Sequence, residues 1–159
     1  MDSVVIIDNG DGSCAVLHPA PEMFDPSSRT RALLDWPDDM SESAILDWII
    51  KKDVPAGKAY MVIDKSLIPS SRRFRNAWKV DKEGLSVDMD RAKAMKLDEF
   101  RVLREPLLKK LDADYMMAME RGTDLQDIVS KKQALRDVTL VELPDNVADL
   151  EAFIPDILI

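Results

Sequence analysis

The chain has 159 residues, 30 acidic against 22 basic, for a net charge of −8 and a pI near 4.7, enough for one domain with a packed core, or one small domain plus an extension. Its 46% hydrophobic and 33% charged residues are the balance of a soluble globular protein, and the acidic excess argues against general binding to nucleic acid or to an anionic membrane. One cysteine, Cys14, excludes an internal disulfide, the first residues lack the pattern of a signal peptide, and no apolar run reaches the roughly eighteen residues of a membrane span, so the expectation is a soluble protein made inside the cell.

Val4-Val5-Ile6-Ile7 and Ala15-Val16-Leu17 are strand-like runs on either side of Asp8-Asn9-Gly10-Asp11-Gly12-Ser13. Asn-Gly and Asp-Gly tolerate positive φ, so this predicts a β-hairpin with a slightly long loop. The same oxygens could suggest a calcium loop, but the alternating carboxylates and closing Glu of an EF-hand are missing. His18-Pro19-Ala20-Pro21 is extended, because each proline pushes its predecessor away from helical geometry. His18, the sole histidine, has no second ligand nearby in sequence and reads as a packed or surface residue.

Asp25-Pro26 supplies a cap and a first helical position for a short helix through Leu34, which Trp36-Pro37-Asp38-Asp39 ends. A stronger helix follows from Ser41 to Lys52, with a serine cap, an acid in its first turn and lysines in its last, and Ile45, Trp48, Ile49 and Lys52 sharing one face. Val54-Pro55-Ala56-Gly57 stops it. Ala59 to Asp64 is the third strand, Ser66 to Ser71 a proline-containing loop, and Val80 to Val87, with Gly84, reads as extended or turn.

Between them lies Arg72-Arg73-Phe74-Arg75-Asn76-Ala77-Trp78-Lys79-Val80, two aromatic rings four apart among cations. Arg73, Arg75, Trp78 and Lys79 could form a stacking patch for nucleic acid. In an acidic chain, the favoured reading makes Phe74 and Trp78 anchors between the N-terminal half and the helical half.

Asp88 opens the dominant helix, from about Met89 to Arg121, with Phe100, Leu103, Leu107, Leu111, Tyr115 and Ala118 along one stripe. At about 1.5 Å per residue it is on the order of 50 Å long. Pro106 removes a backbone donor inside it, which predicts a kink or a break. Gly122 ends this helix, and Thr123 with Gln126 is the pattern of a capping box for the next, whose apolar face is Leu125, Ile128, Val129, Lys132 and Leu135. The short connection makes the pair an antiparallel helical hairpin. Leu140 to Pro144 is extended, Asp145 caps a short helix to Phe153, and Ile157-Leu158-Ile159 is an apolar terminus that would normally need a partner surface.

The expected fold is therefore α+β: a small N-terminal α/β part with a β-hairpin (1–87), a long C-terminal helical hairpin (88–137), and a tail with a short helix (138–159). No Walker loop, nucleophile elbow, zinc spacing or dinucleotide turn occurs, so the chain offers no catalytic residue, no metal site and no cofactor site, and is read as no enzyme. Met95, Met116, Met117 and Met119 crowd the long helix. They either fill the hairpin core or form an adaptable contact surface, and helical spacing puts Met116 and Met117 on different faces.

Several stretches taken in order carry a resemblance: Ile7 to Gly12, His18-Pro19-Ala20-Pro21-Glu22, Phe74-Arg75-Asn76-Ala77-Trp78, Val87-Asp88-Met89, Leu111 to Met116, and Lys132-Gln133-Ala134-Leu135-Arg136-Asp137. The chain resembles small proteins encoded in the tail modules of tailed bacteriophages and prophages, and more loosely is similar to tail-fibre assembly proteins, the tail assembly chaperones, with a Trp-containing element before a helical segment. The resemblance implies a binder of a tail-fibre or baseplate protein, acting in the host cytoplasm during assembly or staying in the virion tail. The alternative it leaves is an integral structural subunit of tail, baseplate or fibre, and self-association is a further option. The expected contact residues are Phe74, Trp78, Met116, Met117, Met119, Ile157, Leu158 and Ile159, with neither nucleic acid nor membrane as partner.

Overall fold

Val4, Val5, Ile6 and Ile7 are all buried, although a strand turns successive side chains to opposite faces. A computed structural model describing residues 2–159 shows why: this strand is the middle of a three-stranded antiparallel sheet covered on both sides. Strand β1 (Ser3–Asp8) lies between β2 (Cys14–Leu17) and β3 (Tyr60–Asp64), with Ile6 opposite Val16 on one side and Met61 on the other. Val4, Ile6 and Ile63 face Val80 and Leu85, whereas Val5 and Ile7 face Leu46, Ile50 and Val54 of the helix described next. The β1–β2 connection is the expected hairpin loop. Gly10 and Gly12 sit at φ 81° and 78°, and Asp8 and Asp11 accept from the backbone of Gly10 and Ser13 at 2.7 and 2.9 Å.

Helix α1 (Arg29–Leu34) starts three residues later than Asp25-Pro26 suggests. The Asp25 carboxylate is taken by the amide and hydroxyl of Ser27, and Ser28 caps the helix instead, accepting from the Arg31 amide. A single helical turn, Pro21–Met23, precedes it. Helix α2 (Glu42–Asp53) has the expected Ser41 cap, and its buried residues are Ile45, Leu46 and Ile49. Trp48, expected on that face, meets Trp36 edge-on at 4.9 Å between ring centroids. The buried Arg31 lies over Trp36 and donates to the carbonyls of Pro37 at 2.5 Å and Met23 at 3.4 Å, tying the α1–α2 connection down.

The segment read as extended or turn is a second β-ribbon, β4 (Trp78–Asp81) and β5 (Gly84–Val87). Its register sets Trp78 opposite Val87 and Val80 opposite Leu85, so one face is apolar along its whole length. Gly84 closes the tight turn at φ 131°, a value side-chain-bearing residues rarely adopt. This ribbon supplies Val80 and Leu85 to the second face of the sheet.

Contacts divide the chain into two compact units, one ending at Asp88 and one comprising Met89–Ile159. In the second, α3 (Met89–Arg121) is a continuous helix of 33 residues and α4 (Gln126–Asp137) is antiparallel to it, since Lys132 reaches Asp112 and Arg104 donates to the Arg136 carbonyl. The chain is thus α+β, a small β-containing part followed by a long helix and a shorter one. Of the kink or break expected at Pro106, the break does not occur, since the helix runs through the proline. Its missing donor orphans the carbonyl of Val102, a residue 71% exposed, where water can take that place.

The connection between the helices works differently from a capping box. Gly122 adopts φ 66°, its amide bonds Met119 O at 3.1 Å, and the Thr123 amide bonds Ala118 O at 3.0 Å, a Schellman closure of α3. The Thr123 hydroxyl also donates to Ala118 O, which removes it from the start of α4. Asp124 accepts from the Gln126 amide in its place. After α4, a turn at Val138–Leu140 and an extended stretch lead to α5 (Val147–Ala152), capped by Asn146 rather than Asp145. Asp145 instead pairs with Lys93.

The core of this unit includes a lysine. Lys96 is fully buried between Ala92 and Phe100 on the inner stripe of α3. Its ammonium donates to the Glu151 carbonyl at 3.2 Å, lies 3.4 Å from the Glu99 carboxylate, and sits 5.5 Å from the Phe100 ring centroid. Phe100 in turn packs against Phe153, and Leu150 is fully buried.

Candidate partner-binding surface

Amphipathic spacing on α3 sends Phe100, Leu107, Leu111 and Ala118 inward, which leaves the residues between them on the outer arc. Met116, Met117 and Met119 are there, 57%, 44% and 53% exposed. None of them fills the hairpin core, because the inward place at that level is held by the small Ala118. Met95, at the other end of the helix, is half-buried. Val129 of α4, expected on the apolar face, is also exposed, while Leu135 and Val138 take the buried positions.

Two grooves run along the α3–α4 hairpin. One, about 330 Å³, is lined by Tyr115, Val129, Lys132 and Arg136. Lys132 bridges it, 4.9 Å from the Tyr115 ring centroid and 2.7 Å from Asp112. Met119 follows Tyr115 by one turn and extends this apolar edge towards the hairpin tip. The other groove, about 470 Å³, has Leu107, Leu111, Leu135 and Ile157 as its floor and Lys110, Asp114 and Lys131 at its rim.

Ile157 therefore does not project outward. The last residues form a helical turn, Asp156–Leu158, against α3 and α4, which half-buries Ile157 and Leu158 and leaves Ile159 92% exposed. The apolar end that looked in need of a partner is largely served by the protein's own hairpin. Phe74 and Trp78 are likewise corrected as surface candidates: each is 3% exposed, and neither ring presents an open face. What remains of the expected contact set on the surface is Met116, Met117, Met119 and Ile159.

The exposed His18 imidazole is held below its ordinary pKa by partial burial and by the neighbouring Arg72, Lys65 and Arg75. Cys14 is pushed up by burial and by Asp8, against a smaller opposing pull from Arg75. Among the described residues no three His, Cys, Asp or Glu side chains converge as a metal site, and no helix is long and apolar enough to cross a membrane.

Val129 is the groove residue that sequence periodicity misassigns, since it falls on the predicted inner face of α4 and is exposed, whereas Tyr115 is half-buried on its expected stripe. The available signal was the length mismatch: a helix of 12 residues cannot cover one of 33, so flanking positions stay open. No protein-family model matches the chain, and no curated protein or solved structure shows significant similarity to it.

Proposed function

We propose that the protein is a phage tail-fibre assembly protein, a non-enzymatic chaperone or adaptor that binds a tail-fibre subunit through the outer face of its helical hairpin. The observation that carries this reading is the exposure of Met116, Met117 and Met119 near the hairpin tip. Unbranched, polarizable thioethers adapt to irregular apolar surfaces, which suits transient cover for a fibre segment before it trimerises. The ordered stretches from Ile7 to Asp137 that resemble tail-module proteins supply the identity of the partner class. Work in the host cytoplasm during assembly follows from that role.

A second reading, an integral tail or baseplate subunit, draws support from the 33-residue helix, a length suited to packing around a symmetry axis. Co-expression with a tail-fibre subunit from the same phage module separates the two. The assembly role predicts co-elution that is lost in a Met116→Gln, Met117→Gln, Met119→Gln variant with unchanged helical signal. A fibre that becomes soluble and trimeric without this protein, and never co-elutes with it, would overturn that role. Stoichiometric recovery from washed virions would favour the structural subunit.

A further inference from the structure

The sheet of the N-terminal unit ends in an edge strand, β3, with no strand beyond it among the described residues. β3 pairs with β1 alone, and the pairing fixes which backbone groups are spent. The Asp8 amide donates to the Ala59 carbonyl and the Lys65 amide to the Asp2 carbonyl, so in this antiparallel ladder the odd-numbered residues 59 to 65 turn their N–H and C=O groups towards β1. The even-numbered residues Tyr60, Val62 and Asp64 turn theirs away. On the same residues the side chains are open: Tyr60 is 52% and Val62 42% exposed, and Asp64 is exposed. The opposite edge of the sheet is less accessible, because β2 has β4 beside it and Cys14 and Val16 packed into the core.

An unpaired strand edge with apolar side chains is a template for another extended segment. The chemistry of this one is self-complementary. In an antiparallel arrangement with a two-fold axis at Val62, Val62 exchanges main-chain hydrogen bonds with the Val62 of a second copy, and Tyr60 lies opposite Asp64. This register pairs the three outward-facing residues of β3 with one another. It also sets charges correctly: Lys58 lies on the same face as Asp64, and falls diagonal to the Asp64 of the other copy, within reach of a long side chain. Lys58 already donates to the Asn9 carbonyl and Asp64 already accepts from Ser66, but an ammonium has three donors and a carboxylate further lone pairs.

The geometry points to a homodimer formed through β3, in which the two sheets join into one of six strands running β2-β1-β3-β3-β1-β2. This surface is separate from the hairpin and does not depend on the assembly role proposed above. A second copy is the occupant because the edge complements itself in register, hydrophobicity and charge.

Sedimentation equilibrium at micromolar concentration tests it, with amide exchange as the second reading. The wild-type chain is expected at twice its 17.9 kDa mass, and Val62→Lys, which opposes two cations at the axis, at once that mass with an unchanged circular dichroism spectrum. In the wild-type protein the Val62 amide should gain protection as concentration rises, while the Met61 amide, bonded to β1, is protected throughout. A wild-type monomer, a Val62→Lys variant that remains dimeric, or a Val62 amide that exchanges freely in the dimer would each overturn the proposal. So would protection of Val62 that appears only when a different protein is added.

Discussion

Lys96 shows how a single side chain can take a core position that its type rarely holds. Ala92, Lys96 and Phe100 are spaced four apart, so the lysine occupies a slot in the inner stripe, and its stem packs while its head finds a carbonyl, a carboxylate and a ring. Reversing its charge would place an anion beside the Glu99 carboxylate and the Glu151 carbonyl. Lys96→Glu should cost about 3–5 kcal/mol, the range for an uncompensated buried charge. A thermal melt within a degree of wild type would contradict this. Titration gives a second test at the same scale. Because burial and the cations Arg72, Lys65 and Arg75 hold the folded His18 below its ordinary 6.5, the unfolded chain binds that proton more tightly. Stability is therefore intact above 6.5 and declines as pH falls through it. Asp25 and Asp64 are held below their ordinary 3.8 by Ser27 and Ser66, so their contribution is present above 3.8 and lost below it. Melting temperature against pH should show both declines, and His18→Gln should abolish only the upper one.

At the scale of elements, local chemistry made most helices and strands legible, and tertiary contacts decided the rest. Ser41 with lysines at the far end announced α2, and Asn-Gly and Asp-Gly announced the first hairpin. The β4–β5 ribbon is legible only as an extended or turning segment, because Trp78 falls in an aromatic-basic cluster that masks it as the first residue of an alternating strand. Trp78, Val80, Leu85 and Val87 in fact share one face across a turn closed by Gly84. Thr123 fits a capping box for α4, but its hydroxyl is taken by the Ala118 carbonyl at the end of α3. Pro106 shows the same competition in the opposite direction. The helix continues because the exposed side of α3 lets water replace one lost bond, but the cost is still carried. Proline is about 3 kcal/mol worse than alanine inside a helix, and its stiffening of the unfolded chain offsets roughly 0.4–1 kcal/mol of that. Pro106→Ala should thus stabilise the C-terminal unit by about 2 kcal/mol, read as a higher denaturant midpoint at unchanged slope. A midpoint that falls would mean that the proline makes a contact worth more than its penalty.

For the whole molecule, the sequence made the order of parts plain but not which apolar residues lie outside. Hydrophobic periodicity marks faces, and it cannot report that a 12-residue helix leaves much of a 33-residue one bare, or that the chain's own end returns to cover part of it. Met116, Met117 and Met119 were visible as candidates because they crowd three faces at once. Ile157 and Leu158 are visible in the sequence only as an apolar end, and the place of Ile157 in the Leu107–Leu111–Leu135 groove needs the fold. That position changes what deletion should do. Were the end a free docking segment, truncation after Asp156 would weaken association and leave the melt unchanged. With Ile157 on the groove floor, the same truncation uncovers Leu107, Leu111 and Leu135 and should destabilise the C-terminal unit by about 1–3 kcal/mol, the value of burying one or two aliphatic side chains in part. The far-UV helical signal reads this unit directly, since α3 and α4 lie within it. A lowered midpoint accompanied by new self-association would place the uncovered groove, rather than the missing residues, as the adhesive surface. An unchanged midpoint would mean that the terminal turn contributes nothing to the hairpin it rests on.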